Sequence, residues 1–584
     1  MKKNLNKRKS DNSNPVNKKQ DKKTLTKVSA SSQLPYWILG IAILFVLIIR
    51  IRLNDVPLER DEGEYAYAGQ QILKGIPPFI SIYHVKLPGI YAAYATIELL
   101  FGQSCSGIHT GLMIVNVLTL IVIFLIGKRL FNPLSGAIAA ACFGYLTLSQ
   151  TMFGFTANAE HFVLLPAMTG ILLLLRGISL SNSKSSVETK TKFWNLPTLN
   201  FFLSGLLLGT AYTMKQHALL FILFSGFYFL YKFFTNKLLN FKNLILNGFV
   251  LLFGVGIPFA SLCMYFSHLG LFEKFWWWTW VYPRTYATQI PWSEGKLNFM
   301  ISFPGIFYST WLLQILALLG LLAIIFKETW DKKIFIIGFF IFSLVAVSVA
   351  FYFYPHYFLL AMPALALLVA AGAEAVSSAF KKNKGSFLLK YGGLLVVAFF
   401  LSISLSHEKS YLFEKSSKEV ATTTYPGQPF VAAQVYGKYI DENSKPDDKI
   451  AILGSEPEIY FYSKRRAATG FVYTYEMMKE HPHVHEFETQ MISEIEAAKP
   501  KFIIYVNVGT SWFSVKINNI DTTIYHWGFQ YINDNYQRIG IVSVNNGNEA
   551  SYCWDTPQSP CNQNADNWMG IYKRKEELQK PNNQ

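Results

Sequence analysis

The stretch LERDEGEYAYAGQQILKG, residues 58–75, follows the first long apolar run almost at once and sets Asp61, Glu62 and Glu64 close together. A carboxylate suits proton abstraction from a hydroxyl when a partly dry site raises its pKa toward neutrality. Asp61 and Glu62 are adjacent, so on a helix they point about 100° apart and only one can aim straight at a shared target. A plainer reading is also open, because acidic residues near a helix start complement its dipole. Glu64 reads as the solvated member of the cluster. Which reading holds depends on the side of the membrane the cluster faces and on what faces it there.

The elements that must position these groups are apolar spans. Of the 584 residues, 51% are hydrophobic and only 15% charged; a soluble protein carries about 25% charged residues, so the composition is that of a membrane protein. The net charge of +16 is concentrated in the tail MKKNLNKRKSDNSNPVNKKQDKKTLTK and in short Lys-rich loops. That pattern sets membrane orientation and argues against nucleic-acid binding. The tail, residues 1–34, reads as disordered and cytoplasmic. About eleven runs are long enough for a hydrocarbon core of roughly 30 Å. They lie near 35–51, 108–127, 134–152, 160–180, 199–214, 217–234, 244–266, 299–326, 333–353, 357–376 and 387–406, and the first has no cleavage site after it, as in an uncleaved signal anchor.

Counting crossings from a cytoplasmic tail, the inner loops are GKRLFNP, RGISLSNSKSSVETKTK, YKFFTNK, FKETWDKK and KKNKG, every one of them basic. The extracytoplasmic face then collects the acidic cluster with His84, Lys86, Glu160, His161, Lys215, His217, Arg284 and His356. Polar groups this close to lipid are costly unless they face a cavity, so they are candidates for function.

In the first outer loop, 52–107, EGEYAYAGQQILKG predicts a short helix ending at Gly75, and LPGIYAAYATIELLFG a second, both lying along the membrane interface. The loop EKFWWWTWVYPRTYATQIPWSEGK sets an aromatic belt around Arg284. From residue 407 the strand-like runs KIAILGS and KFIIYVN, separated by the helical EFETQMISEIEAAKP, predict an extracytoplasmic α/β domain, 407–584. Cys553 and Cys561 fall there and could pair in an oxidising compartment. No zinc spacing is present, no Asp-x-Asp metal motif stands on the outer face, and GKRLFNP lacks the spaced glycines of a P-loop. A need for a divalent metal is left open.

The ordered motifs RDEGEYAYA (60–68), YHVKLPGIY (83–91), NAEHFVLLP (158–166), GTAYTMKQHALL (209–220) and HYFLLAMPALALL (356–368) resemble those of GT-C glycosyltransferases. The similarity is to the lipid-linked-sugar branch that includes bacterial relatives of dolichyl-phosphate-mannose protein mannosyltransferases and the aminoarabinose transferase of lipid A (glycosyltransferase families 39 and 83). It spans residues 35–406. It implies an α-helical polytopic membrane protein, with the α/β domain outside, that transfers a sugar from a polyprenyl-phosphate donor to an acceptor hydroxyl on a protein, lipid or polysaccharide. By the resemblance Asp61 is the base and Glu62 orients base or acceptor. Lys86 is the phosphate ligand, an interfacial lysine solvated before donor arrives. Tyr65, Tyr83, Arg284, His356 and Tyr357 assist at the phosphate, and Glu160, His161, Lys215 and His217 line the acceptor side of the cavity. Two positions depart from the family pattern: Leu87 stands before Pro88 where a second proline is usual, and His356 where Arg is frequent. A transporter or flippase for a polar or lipid-linked substrate is the competing reading, but such proteins show internal repeats and ionisable groups near the bilayer midplane, and neither is seen here.

Overall fold

A computed structural model describes residues 30–182, 195–235, 241–380, 387–478, 481–512, 523–544, 550–555 and 566–578. The basic tail, residues 1–29, lies outside them. The first nine helices are α1 (Ala30–Arg52), α2 (Arg60–Leu73), α3 (Pro88–Phe101), α4 (Cys105–Leu130), α5 (Pro133–Leu146), α6 (Ala159–Ser181), α7 (Leu196–Met214), α8 (Leu219–Thr235) and α9 (Phe241–His268). Four further apolar helices follow, Trp292–Lys327, Trp330–Ser348, Met362–Phe380 and Phe387–His407. The apolar runs of the sequence are all helical, and eight of the described helices are long and apolar enough to cross a membrane. The other runs form the shorter α5, the 19-residue α7 and Phe387–His407. The chain is a multi-pass membrane protein.

Local sequence sets the helix starts. Ser104, Asn132 and Asn195 accept backbone N–H bonds at the N-termini of α4, α5 and α7, and prolines sit in the first turns of α5 and α7. Packing inside the bundle relies on missing side chains. A Cβ on Gly205 or Gly209 of α7 would lie 2.0 Å from Leu251 O or 2.3 Å from Val255 O of α9, and one on Gly254 would lie 2.5 Å from Phe202 O. The two backbones therefore touch, which is how small residues four apart bind helices where lipid removes the hydrophobic drive.

The C-terminal domain carries a six-stranded sheet of β1 (Lys449–Leu453), β2 (Arg466–Ala467), β3 (Phe502–Asn507), β4 (Tyr536–Ser543), β5 (Ser551–Trp554) and β6 (Trp568–Arg574), in the order β2-β1-β3-β6-β4-β5. β1 is parallel to β2 and β3, while β3–β6, β6–β4 and β4–β5 are antiparallel. The helix Val484–Ala498 makes the crossover between β2 and β3 that the strand–helix–strand pattern required. Cys553 is disulfide-bonded; Cys561 lies outside the described residues.

α2 is not a free-standing surface helix. It is sandwiched instead, with α3 on one side, where Gly69 meets Ala95, and the C-terminal domain on the other, where Gly63 meets the Glu458 backbone. α3 leaves Leu99, Leu100 and Phe101 exposed at its C-terminal end.

The α7–α9 contact generates a test. Gly205→Val should force the two backbones apart and cost about 1–3 kcal/mol, whereas Gly256→Val on α9, where nothing lies within 4 Å, should be close to neutral. Thermal unfolding of both variants in detergent distinguishes them, and equal effects would refute the close crossing.

Candidate active site

The N-terminus of α2 sorts the acidic cluster. Glu59 is the N-cap and Glu62 closes a capping box with it, each backbone N–H donating to the other's carboxylate at 3.2 Å. The second oxygen of Glu62 accepts the Ala157 N–H at 2.6 Å and lies 2.9 Å from His109 Nε2. His109 Nδ1 faces the Asn54 carbonyl at 2.8 Å. Glu62 thus points into the bundle, and the plain helix-start reading describes it.

Asp61, one residue earlier, turns the other way, with 28% of its side chain exposed, and accepts a bond from Lys86 Nζ at 2.6 Å. Glu64 lies three positions on, on the same helix face, and accepts a second bond from that ammonium at 3.0 Å. Its other oxygen accepts the Tyr91 hydroxyl and sits 2.9 Å from His84 Nδ1. Glu64 is fully buried, so its reading as a solvated residue is wrong. Lys86 is likewise not a free interfacial lysine. It is 20% exposed, held by two carboxylates and seated 4.4 Å above the Tyr65 ring. Backbone restriction ahead of Pro88 holds this segment extended, with Leu87 at φ −75° and ψ 140°, before α3 begins.

The electrostatics follow from these contacts. Burial pushes the Glu64 carboxyl up, but the charges of His84 and Lys86 outweigh it and bring its pKa down to about 2. Burial likewise works against Asp61, yet Lys86, His356 and Lys215 together hold it below the ordinary carboxylate range. This reverses the expectation that the site raises the pKa of the base toward neutrality. For Lys86 burial is again the largest single influence, overcome by Asp61 and Glu64, so the ammonium stays charged.

A second charged set lies where α6 begins and α7 ends. α7 ends as Lys215 swings to φ −158° and ψ 137°. Its ammonium donates to Glu160 at the start of α6 and lies 3.9 Å above the Tyr357 ring. His356 Nε2 is 4.0 Å from Glu160, and His217 packs on Tyr357 with ring centres 4.9 Å apart. His161 Nδ1 is held 3.3 Å from the Asn116 amide of α4. Asp61 lies within electrostatic reach of both His356 and Lys215, so the two sets interact.

Two expected ligands are placed elsewhere. The Tyr83 hydroxyl donates to Glu494 of the C-terminal domain at 3.2 Å, and its ring stacks on Trp278. Arg284 is exposed on the short helix Tyr282–Ala287 and forms no ion pair with a described residue. Glu64 and Tyr91, to which the sequence reading gave no catalytic or binding role, and His84, which it named only as one of the polar groups of that face, join this cluster. The three-residue spacing of Asp61 and Glu64, and the alternation of His84 with Lys86, were the available signals. A divalent metal does not fit this donor set. Asp61 and Glu64 share Lys86, Lys215 neutralises Glu160, and no group of three His, Cys, Asp or Glu among the described residues is arranged to hold an ion.

A helical membrane bundle whose acidic loop after the first span is covered by an α/β domain defines a GT-C fold. The archaeal oligosaccharyltransferase AglB from Archaeoglobus fulgidus, solved in complex with an inhibitory peptide and a dolichol-phosphate, shares this fold at 13% identity and a TM-score of 0.52, over 91% of this chain and 75% of that one. ArnT from Cupriavidus metallidurans in the apo state aligns over 82% of this chain and 93% of its own at 15% identity and a TM-score of 0.48. The same protein bound to undecaprenyl phosphate gives 14% identity and 0.45, over 82% and 94%. No family model and no curated protein matches the sequence.

The burial of Glu64 has a measurable consequence. Its folded pKa of about 2 lies below the ordinary 4.5, so its ionised form stabilises the fold above that ordinary value and the contribution is lost as pH falls through the folded one. Glu64→Gln should cost about 3 kcal/mol at neutral pH. The gap from wild type should close as pH drops from 4.5 toward 2, and a pH-independent gap in thermal unfolding would rule out the charge role.

Proposed function

We propose that this protein is an integral-membrane glycosyltransferase that moves a sugar from a polyprenyl-phosphate donor to an acceptor hydroxyl on the extracytoplasmic face. The observation that carries the reading is Lys86 held between Asp61 and Glu64 within electrostatic reach of a second charged set, Glu160, Lys215 and His356. A largely buried ammonium with two carboxylate partners can exchange one of them for the anionic phosphodiester of the donor, and Asp61, the more exposed, is the one released.

The donor phosphate draws Lys86 toward itself, and the carboxylate that loses its counter-charge becomes a stronger base. Asp61 then takes the proton of the acceptor hydroxyl as that oxygen attacks the anomeric carbon from the face opposite the phosphate, inverting the centre. The carbon–oxygen bond to phosphate breaks, and the lipid phosphate leaves with its charge stabilised by Lys86. Tyr65 supports the ammonium from below. Glu160, with Lys215, His217, His161 and Tyr357, forms the acceptor side, and His356 stands between the two halves.

Both charged sets gather at one end of the bundle, as alternating crossings from a cytoplasmic N-terminus require. We therefore assign the cavity and the C-terminal domain to the extracytoplasmic side. A cysteine at Lys438, whose side chain is 77% exposed, should react with a membrane-impermeant reagent in intact cells. One at Lys332, in a basic inner loop, should react only after lysis. The reverse pattern would invert the topology.

Purified protein incubated with labelled polyprenyl-phosphate hexoses and candidate acceptors tests the activity itself. Asp61→Asn should lower turnover by about two to four orders of magnitude with lipid-phosphate binding retained, and Lys86→Ala should weaken that binding. Movement of lipid across vesicles without sugar transfer would favour a flippase. The pH profile tests the release step. Free enzyme holds Asp61 ionised below the ordinary carboxylate range, and the donor complex does not, so the acid limb of kcat should lie at higher pH than that of kcat/KM. Coincident limbs would show that Lys86 never leaves Asp61.

A further inference from the structure

Arg60, the residue before Asp61, belongs to neither charged set of the cavity. It sends its side chain into the C-terminal domain, where Nε donates to the Ser455 carbonyl at 2.8 Å and Nη2 pairs with Glu456 Oε1 at 2.7 Å. The guanidinium carbon lies 5.3 Å from the Phe430 ring centre and 5.9 Å from that of Tyr475. The Tyr473 hydroxyl donates to the Arg60 carbonyl at 2.9 Å, so side chain and backbone of the same residue are both gripped.

The partner is itself braced. Glu456 Oε2 accepts the Ser511 hydroxyl at 2.7 Å and the Ser455 N–H at 2.8 Å. The turn that presents it needs Gly454, at φ +156°, where a Cβ would fall 2.7 Å from Glu456 Oε2 and 2.8 Å from Val506 Cβ. One turn further along α2, Gly63 leaves so little room that a Cβ would lie 2.5 Å from the Glu458 nitrogen. The first turn of α2 therefore rests on the rigid end of β1. On the membrane side Asp61 has a single side-chain bond, to Lys86, the group that the proposed reaction removes.

We infer that the Ser455–Glu456 turn is a latch through which the C-terminal domain positions Asp61, with Arg60 as the positioning residue. This rests on the glycosyl-transfer reading for its effect on rate, though not for its effect on α2. When Lys86 turns to the phosphate, the fork on Arg60 keeps the freed carboxylate aimed at the acceptor. The domain is thus part of the catalytic frame rather than an appended module. A displacement of about 1 Å at such a group is enough to cost on the order of 100-fold in rate.

The test compares wild type, Glu456→Gln, Arg60→Lys and the double variant as full-length protein in detergent. Three readouts are taken: hydrogen exchange of the α2 amides, affinity for undecaprenyl phosphate, and turnover with a labelled undecaprenyl-phosphate hexose that wild type uses. Glu456→Gln should speed exchange in α2 but not in α6, leave lipid-phosphate affinity within about twofold, and lower turnover by about 10- to 100-fold. The double variant should be no slower than the worse single one, because both break the same contact. Should Glu456→Gln fail to accumulate in folded form, Arg60→Lys carries the same readouts, since it keeps the charge but not the second bond to Ser455. Unchanged exchange in α2, or affinity falling as far as turnover, overturns the latch. A wild type that transfers no sugar from any lipid-phosphate donor instead overturns the glycosyl-transfer reading, and exchange in α2 still decides the latch.

Discussion

A single ammonium, Lys86, shared by Asp61 and Glu64 in a largely buried site, is the constraint around which this end of the helical bundle is arranged. Removing such an ion from water costs several kcal/mol, and only close opposite charge with full hydrogen bonding offsets it. The two carboxylates must therefore come from one face of α2, the lysine from the extended segment before α3, and the tyrosines that close the site, Tyr65 and Tyr91, from α2 and α3. Glu64 is braced by His84 and Tyr91, whereas Asp61 is the more exposed partner of Lys86. The same logic repeats across the cavity, where Lys215 is paired with Glu160. A site in which every cation already has an anion is poised for exchange with an anionic ligand.

Distant packing decides whether these charges meet. Lys215 stands where α7 ends, and α7 is seated by glycines that let its backbone touch α9. Glu62 looks like a catalytic neighbour of Asp61, yet its carboxylate serves the helix start and the loop before α6. Its contribution is to fix the direction of α2, and so of the residue beside it. On the far side of α2, the C-terminal domain supplies the surface against which that helix is held. Tyr67 accepts the Ala467 N–H at 2.9 Å, and the Leu58 N–H donates to the Tyr462 hydroxyl at 2.8 Å.

The amino-acid sequence by itself determined the spans, because a run of apolar residues must be helical in lipid and its length is set by the bilayer. Basic loops and crossing parity then put Asp61, Lys86, Glu160, Lys215 and His356 at one end without any knowledge of contacts. The β1–helix–β3 unit was equally readable, since alternation and helical period are local signals. Partnership was not, because it joins positions far apart in the chain. The Arg60–Glu456 pair spans 396 residues, Tyr83–Glu494 411 and Lys215–Glu160 55. No local pattern shows that Glu64 is buried, that Tyr83 turns to Glu494, or that Lys86 holds Asp61 below the usual carboxylate range. Burial and counter-charge are properties of what the rest of the chain brings to a residue, and only the tertiary structure decided them.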